Sequence, residues 1–410
     1  MAEAVTSSSS SKSVIDLAER VGAHNYHPLP VVISLAEGVW VHDPEGRRYL
    51  DFLSAYSAVN QGHRHPHIIQ ALKDQADRVT LTSRAFYNDR MGEFLEKLCT
   101  YTGYQMALPM NTGAEAVETS MKLARLWGHK VKGVEDGKQE IICFHENFHG
   151  RTISIISYSD DAVAREGFGP FTPGFRVVDY DDPQAIEDAI TPNTVAVNLE
   201  PIQGEAGVNV PSHGYLRAVR EICDRHEILM IADEVQTGFC RTGRKFAVDH
   251  EDVRPDVMCL GKALGGGVFP VSAVVADEDV LGVFGPGSHG STFGGNPLGA
   301  AVAIASIEVL ENEKLDERAE EFGQYVRAQL EELVDQVPRL QKVRGKGLLN
   351  AVVFEEGFEA WDVCVTLKDH GLLAKQTHGN IIRFAPPLVI SREELDHALG
   401  IIREVFLAID

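Results

Sequence analysis

Between about residues 104 and 275, short runs of apolar, β-prone residues alternate with stretches whose apolar positions recur every three to four residues. The runs I-I-C-F (141–144), R-V-V-D (176–179), V-A-V-N-L (195–199), L-M-I-A (229–232), V-M-C-L (257–260) and V-S-A-V-V (271–275) predict strands. Helices are predicted at 115–127 and 215–226, the second placing Leu216, Val219, Ile222 and Cys223 on one face. Near-continuous apolar strands separated by amphipathic helices predict an α/β fold with a mostly parallel sheet covered on both faces. Ligands of such sheets bind beyond the carboxyl ends of the strands.

After Gly299 the texture changes. The stretch A-A-V-A-I-A-S-I-E-V-L-E-N-E (300–313) predicts a helix leading out of that large domain. V-R-G-K-G-L-L-N-A-V-V-F (343–354) and I-I-R-F-A-P-P-L (381–388) read as strands of a smaller α+β domain. Residues 39–52 predict a hairpin turning at Asp43-Pro44-Glu45-Gly46. The expected division is a disordered tail over 1–13, an N-terminal segment over 14–60 packing with the small domain, a large domain over 61–305 and a small domain over 306–410. A chain of 410 residues exceeds what one core accommodates, which agrees with two domains.

Composition narrows the function classes. Net charge is −22 without basic clusters, so nucleic acid is not an expected partner. No apolar run is long enough to span a membrane. Six cysteines fall at irregular intervals, several inside apolar runs, as buried free thiols of a reducing compartment do. The Ser-rich N-terminus has neither the apolar core of a signal peptide nor the arginines of a transit peptide, so a cytoplasmic location is expected.

Lys262 follows the run V-M-C-L-G, and Asp233 ends the run I-L-M-I-A. An amine and a carboxylate delivered by two buried strands suit pyridoxal 5′-phosphate (PLP), which needs a Schiff-base lysine and an acid facing its pyridine nitrogen. Taken alone, the pair is equally compatible with two charges at strand ends. H-E-N-F-H (145–149) matches a zinc motif, but that motif requires a helix, and here it follows a strand and runs into Gly150. G-H-R-H-P-H (62–67) reads as a loop interrupted by Pro66. No metal is expected at either. N-T-G-A-E-A (111–116), with Thr112 as cap, offers helix-start N–H groups to a phosphate, and G-S-T-F-G-G-N-P (290–297) is a second loop suited to one. Nucleotide-binding glycine motifs are absent. Arg151 and Arg383 stand where solvated charges are unexpected, and each calls for a carboxylate partner or ligand.

These segments, with S-A-Y-S-A-V-N-Q-G-H (54–63), E-P-I-Q-G-E-A-G-V (200–208) and A-D-E-V-Q-T-G (232–238), follow one another in a familiar order. From about residue 23 to the C-terminus the chain resembles the class-III, fold-type-I PLP-dependent aminotransferases, and within them the branch acting on the δ-amine of ornithine. The resemblance implies transfer of that amine to 2-oxoglutarate, giving glutamate 5-semialdehyde and glutamate, a step of arginine metabolism and proline biosynthesis. It implies that Lys262 carries the cofactor and shuttles a proton, and that Asp233 keeps the pyridine nitrogen protonated. Gln236 would bond the phenolic oxygen, Phe148 would stack on the ring, and Gly113 and Ala114 would cradle the phosphate. Thr292 would complete that cradle from a neighbouring subunit, which implies a homodimer with shared active sites. Arg151 and Tyr26 would bind the ornithine α-carboxylate and α-amino group, and Tyr56 would line the carboxylate pocket. Glu205 would pair with Arg383 and release it to the 2-oxoglutarate carboxylate. Acetylornithine, 4-aminobutyrate and lysine aminotransferases share the machinery but do not typically carry a tyrosine matching Tyr26. Outside the family, a metal-dependent hydrolase and a non-catalytic PLP-binding homologue are the competing readings.

Overall fold

The computed structural model describes residues 10–409. Strands β1 (Leu35–Glu37), β2 (Trp40–His42) and β3 (Arg48–Asp51) form an antiparallel meander, with Gly46 at φ +86° in the expected β2–β3 turn. Strands β4 (Met106–Met110), β5 (Glu140–Phe144), β6 (Phe175–Val178), β7 (Thr194–Leu199), β8 (Leu229–Asp233), β9 (Val257–Leu260) and β10 (Ser272–Ala276) build one sheet in the order β4-β10-β9-β8-β7-β5-β6. Every residue of β7, β8, β9 and β10 is buried, as the apolar runs predict for a sheet covered on both faces. Only β10 departs from parallel pairing, running antiparallel to β4 and β9.

The covering helices follow their sequence pattern. Helix Gly113–Lys130 starts with a capping box, Thr112 and Glu115 exchanging bonds with each other's N–H groups. Helix Tyr215–His226 buries Leu216, Val219, Ile222 and Cys223, the face expected. Each such apolar side chain contributes about 1.5–3 kcal/mol on burial. Helix Pro297–Asn312, capped by Asn296 with Pro297 at its first position, packs between Pro66–Ala76, Met91–Thr102 and the body of the large domain.

Beyond it, β11 (Leu340–Lys346), β12 (Leu349–Phe354), β14 (Lys375–Thr377) and β15 (Ile381–Phe384) form an antiparallel sheet in the order β11-β12-β15-β14. The short β13 (Leu372–Leu373) instead joins β3 in parallel, and Trp40 Nε1 donates to Glu394 Oε1 at 2.8 Å, so the N-terminal meander packs with the C-terminal domain. The C-terminal helices Trp361–Asp369 and Arg392–Leu407 cover this region.

Two local details differ from expectation. Of the tail expected over 1–13, residues 1–9 lie outside the described residues, while Ser10 caps and Ser11–Ser13 open helix Ser11–Val21. The 62–67 loop ends at Pro66, which occupies the first position of helix Pro66–Ala76, where its missing N–H costs nothing. Its histidines are each spent on a carboxylate, His63 on Asp51, His65 on Glu313 and His67 on Glu308. Among the described residues no helix is long and apolar enough to cross a membrane, and the cysteines are unpaired, all buried except the half-buried Cys99.

Candidate active site

The carboxyl ends of β8 and β9 deliver Asp233 and Lys262 to one cavity of about 190 Å³. Lys262 follows Gly261 in a left-handed conformation (φ +45°), which turns its side chain out of the β9 line. Its Nζ makes no hydrogen bond, and burial holds its pKa below the usual lysine range against the opposing pull of Glu205 and Asp233. Such an amine is poised to be neutral and nucleophilic.

Asp233 is buried and doubly held. Its Oδ1 accepts Val235 N at 3.0 Å, and His149 Nδ1 donates to its Oδ2 at 2.6 Å. Burial opposes a charge on His149, but the Asp233 carboxylate outweighs it and raises the imidazole pKa. On the far side His149 Nε2 faces Asn198 Nδ2 at 3.4 Å, while Asn198 Oδ1 has no partner. Turning that amide over lets Oδ1 accept from a protonated Nε2. Glu200 closes the same floor: its Oε2 accepts Phe148 N at 2.9 Å, and burial pushes its pKa up to about 7.

The wall opposite carries an arginine held by a carboxylate. Arg383, on β15 and 4% exposed, donates Nη1 to Glu205 Oε1 at 2.6 Å. Gln236 Nε2 donates to the same oxygen at 2.9 Å, leaving its buried Oε1 without a partner. Burial raises the Glu205 pKa, yet Arg383 and Lys262 overcome it and keep the carboxyl below its ordinary range. Gly204 permits this packing, since a Cβ there would lie 1.6 Å from Gln236 Oε1. The Arg383 guanidinium also lies 5.1 Å from the Tyr56 ring centre. Burial raises the Tyr56 pKa, with Arg383 opposing and Glu205 and Tyr26 adding to it.

Tyr56 is presented by an unusual backbone. Ser54, Ala55, Tyr56 and Ser57 have φ of +49°, +45°, +59° and +72°. Left-handed geometry costs a non-glycine residue roughly 1–2 kcal/mol, so this turn is held by its surroundings rather than by propensity.

At the opposite end, Gly113 and Ala114 open helix Gly113–Lys130 beneath Phe148 and Gly150. Their N–H groups have no intrahelical partner, and Gly113 lies so near Val235 that an added Cβ would approach it to 2.7 Å. Nearby, Asn111 Nδ2 donates to Ser291 Oγ at 2.9 Å, tying the second loop to this end, but Thr292 itself is exposed and outside the cavity. Tyr26 is 77% exposed, in a loop with neither helix nor strand. Arg151 has the expected carboxylate partner but is solvated. It is exposed, stacks 4.9 Å over the Phe148 ring at the cavity rim, and meets only Asp161 at 3.3 Å.

The structure therefore brings Lys262, Asp233, Gln236, Phe148, Gly113, Ala114, Glu205, Arg383 and Tyr56 together, with Arg151 and Tyr26 at the rim and Thr292 apart. Sequence reasoning missed His149, Asn198 and Glu200 as floor residues. The zinc-motif stretch that contains His149 is not helical: His145 pairs with Asp160 and His149 with Asp233. Among the described residues no group of three or more potential ligands could hold a metal ion. A wider open groove of about 860 Å³ runs between the Gln203–Pro211 stretch and β11, and contains neither Lys262 nor Asp233.

An unbonded amine, a fixed carboxylate, a partnerless amide oxygen and a helix start with free N–H groups form the donor set for a phosphorylated, aldehyde-bearing pyridine. Comparison with known proteins agrees. Residues 21–406 match the Aminotransferase class-III family. An ornithine aminotransferase of Brevibacillus brevis is 59% identical over 392 residues, 96% of this chain and 97% of that protein. The structure of the ornithine aminotransferase from Toxoplasma gondii, with PLP partly occupying its active site, superposes with a TM-score of 0.96 at 46% identity, covering 98% of this chain and 95% of that one. An acetylornithine aminotransferase from Elizabethkingia anophelis superposes with a TM-score of 0.90 at 49% identity, over 98% of this chain and all of that one. The chain belongs to the class-III aminotransferase family, PLP-dependent enzymes of fold type I.

Proposed function

We propose that this chain is an ornithine δ-aminotransferase, moving the δ-amine of L-ornithine to 2-oxoglutarate and producing glutamate 5-semialdehyde, which cyclises to pyrroline-5-carboxylate, and L-glutamate. The observation that carries this reading is the unequal state of the two arginines: Arg383 is buried and masked by Glu205 at 2.6 Å, while Arg151 is exposed at the rim with only a 3.3 Å pair to Asp161. Two substrates whose carboxylates lie at different distances from the reacting carbon need two anchors, of which one is withheld in turn.

PLP, when bound, supplies an electron sink for the carbon that bears the amine. Lys262 would hold it, Asp233, fixed by its bond from His149, would keep a carboxylate opposite its ring nitrogen, and Gln236 would bond its phenolic oxygen. Phe148 would cover its face, and the N–H groups of Gly113 and Ala114 would bind its phosphate. With its pKa lowered, Lys262 Nζ removes and returns the proton on the donor carbon. Arg151 binds the ornithine α-carboxylate and Tyr26 its α-ammonium, which leaves the δ-amine pointing inward. In the second half-reaction Glu205 releases Arg383 to the 2-oxoglutarate α-carboxylate, against the Tyr56 ring.

A homodimer is part of the proposal. Thr292 would reach the partner's phosphate site, and its neighbour Phe293 is 50% exposed, with Phe86 at 72% and Tyr87 at 97%. These exposed aromatics support the reading that this face meets a second subunit. The proposed setting is the cytoplasm, in arginine metabolism and proline biosynthesis. The test is a panel of amino donors against 2-oxoglutarate with detection of pyrroline-5-carboxylate. Ornithine should lead, and faster turnover of N-acetylornithine or 4-aminobutyrate overturns the assignment.

A further inference from the structure

Tyr26 lies on a stretch of chain with almost no burial of its own. Residues 22–28 are all exposed, and helix Ser11–Val21 before them buries none of its residues. The loop is nevertheless held one residue further on. The His27 ring stacks on the Trp361 indole, with ring centres 4.1 Å apart and planes 14° from parallel. Lys375 Nζ donates to His27 O and lies 4.9 Å from the centre of the same indole. Trp361 opens helix Trp361–Asp369, and Lys375 lies on β14, opposite Arg383 of β15. Leu29, two residues on, packs against the main core. Tyr26 itself stands close enough to Tyr56 to add to the rise that burial gives its pKa. The loop bearing Tyr26 is thus docked on the C-terminal domain by an aromatic stack and a backbone bond.

We propose that Trp361 is a specificity-determining positioning residue: by stacking on His27 it pre-orders the loop that holds Tyr26 at the cavity rim, and so favours donors that carry an α-ammonium. This rests on the reading of Tyr26 as the partner of the ornithine α-ammonium. Without the stack, an exposed loop samples many backbone conformations. A substrate that needs one of them must then meet the ordering cost from its own binding energy. A tryptophan suits the task, since it offers a large rigid face with only two torsions to fix. 4-Aminobutyrate has no α-amine and gains nothing from an ordered Tyr26. Neither Trp361 nor His27 lines the cavity, so the chemistry at its floor does not depend on them.

The experiment is kinetics of the holoenzyme with ornithine and 4-aminobutyrate as alternative donors. In Trp361→Ala, kcat/KM for ornithine should fall about tenfold, chiefly through KM, while that for 4-aminobutyrate stays within about twofold. Trp361→Phe, which keeps a ring for His27 to stack on, should recover most of the loss. Should Trp361→Ala fail to fold, His27→Ala removes the same stack from its exposed side and is read the same way. In a Tyr26→Phe background Trp361→Ala should cost ornithine nothing further, because the group it positions is already disabled. A loss shared equally by both donors, an unchanged donor ratio in the alanine variants, or an additive loss in the double variant overturns the proposal. The underlying reading fails separately. A Tyr26→Phe enzyme with the wild-type donor ratio removes the role of Tyr26, and the positioning role with it. A lowered ratio in Tyr26→Phe beside unchanged alanine variants removes only the role of the stack.

Discussion

The floor and the rim of the cavity are built by different physics. The floor residues Lys262, Asp233, His149 and Glu200 are set by strand ends and buried bonds, with Asp233 held by both a backbone N–H and an imidazole. The rim residues Tyr26 and Arg151 sit on exposed loops, with Arg151 making one long ion pair. Between them, the buried Arg383 is paired with the half-buried Glu205 like a latch. The lesson is that chemistry shared across a family resides where geometry is over-determined, and substrate choice where it is not.

The sharpest way to break this comparison is at the floor. Lys262→Ala should lower turnover by at least about 10³-fold, since it removes the proton-transferring base. Cofactor binding should survive in part, because the helix start and Asp233 are untouched. Borohydride reduction of the wild type followed by peptide mapping checks the assignment directly. A pyridoxyl label on another lysine would move the floor elsewhere.

At the rim the effect should be smaller and selective. Tyr26→Phe should lower kcat/KM for ornithine by about 10- to 150-fold, the worth of one charge-assisted bond to an α-ammonium. 4-Aminobutyrate has no α-amine and should be affected far less. Equal losses for both donors would make Tyr26 scaffolding and erase the distinction between floor and rim.

The latch should respond by changing preference rather than rate. In Glu205→Ala, Arg383 loses its closest anionic partner and stands free for any α-carboxylate. The half-reaction with glutamate should gain on that with ornithine by about tenfold. Stopped-flow traces in which both half-reactions slow equally would show that Glu205 only supports the wall.

The sequence made the floor legible where it depends on strands. Asp233 and Lys262 end runs of apolar residues, and a buried parallel sheet puts such ends together. It did not reveal the His149–Asp233 pair, because the partners are 84 residues apart and nothing local records that contact. Arg151 was expected to meet a carboxylate, and it does in Asp161, but its exposure over Phe148 depends on a loop whose course nothing local in the sequence records. The antiparallel β10 and the left-handed turn at Tyr56 were also invisible, because pairing direction and positive φ at serine, alanine and tyrosine are imposed by tertiary contacts.

The smallest effect on turnover, and the most direct reading of the floor's electrostatics, comes from Glu200. Its folded pKa is raised to about 7 from an ordinary carboxyl value of 4.5, with burial as the main cause. Below the lower value both folded and unfolded chains hold the proton, and the carboxyl costs nothing. Between the two values the unfolded chain releases it while the folded chain retains it, so stability falls as pH rises through this window. Above the upper value both are ionised and the full penalty remains, on the order of 3 kcal/mol by linkage. Glu200→Gln keeps an oxygen that accepts Phe148 N but cannot ionise. Its urea-unfolding free energy should therefore match wild type at low pH and exceed it progressively towards pH ~8, by up to that amount. A difference that stays constant with pH would mean that Glu200 shares a proton with His149 throughout, so that the floor titrates as a pair and not through its carboxyl.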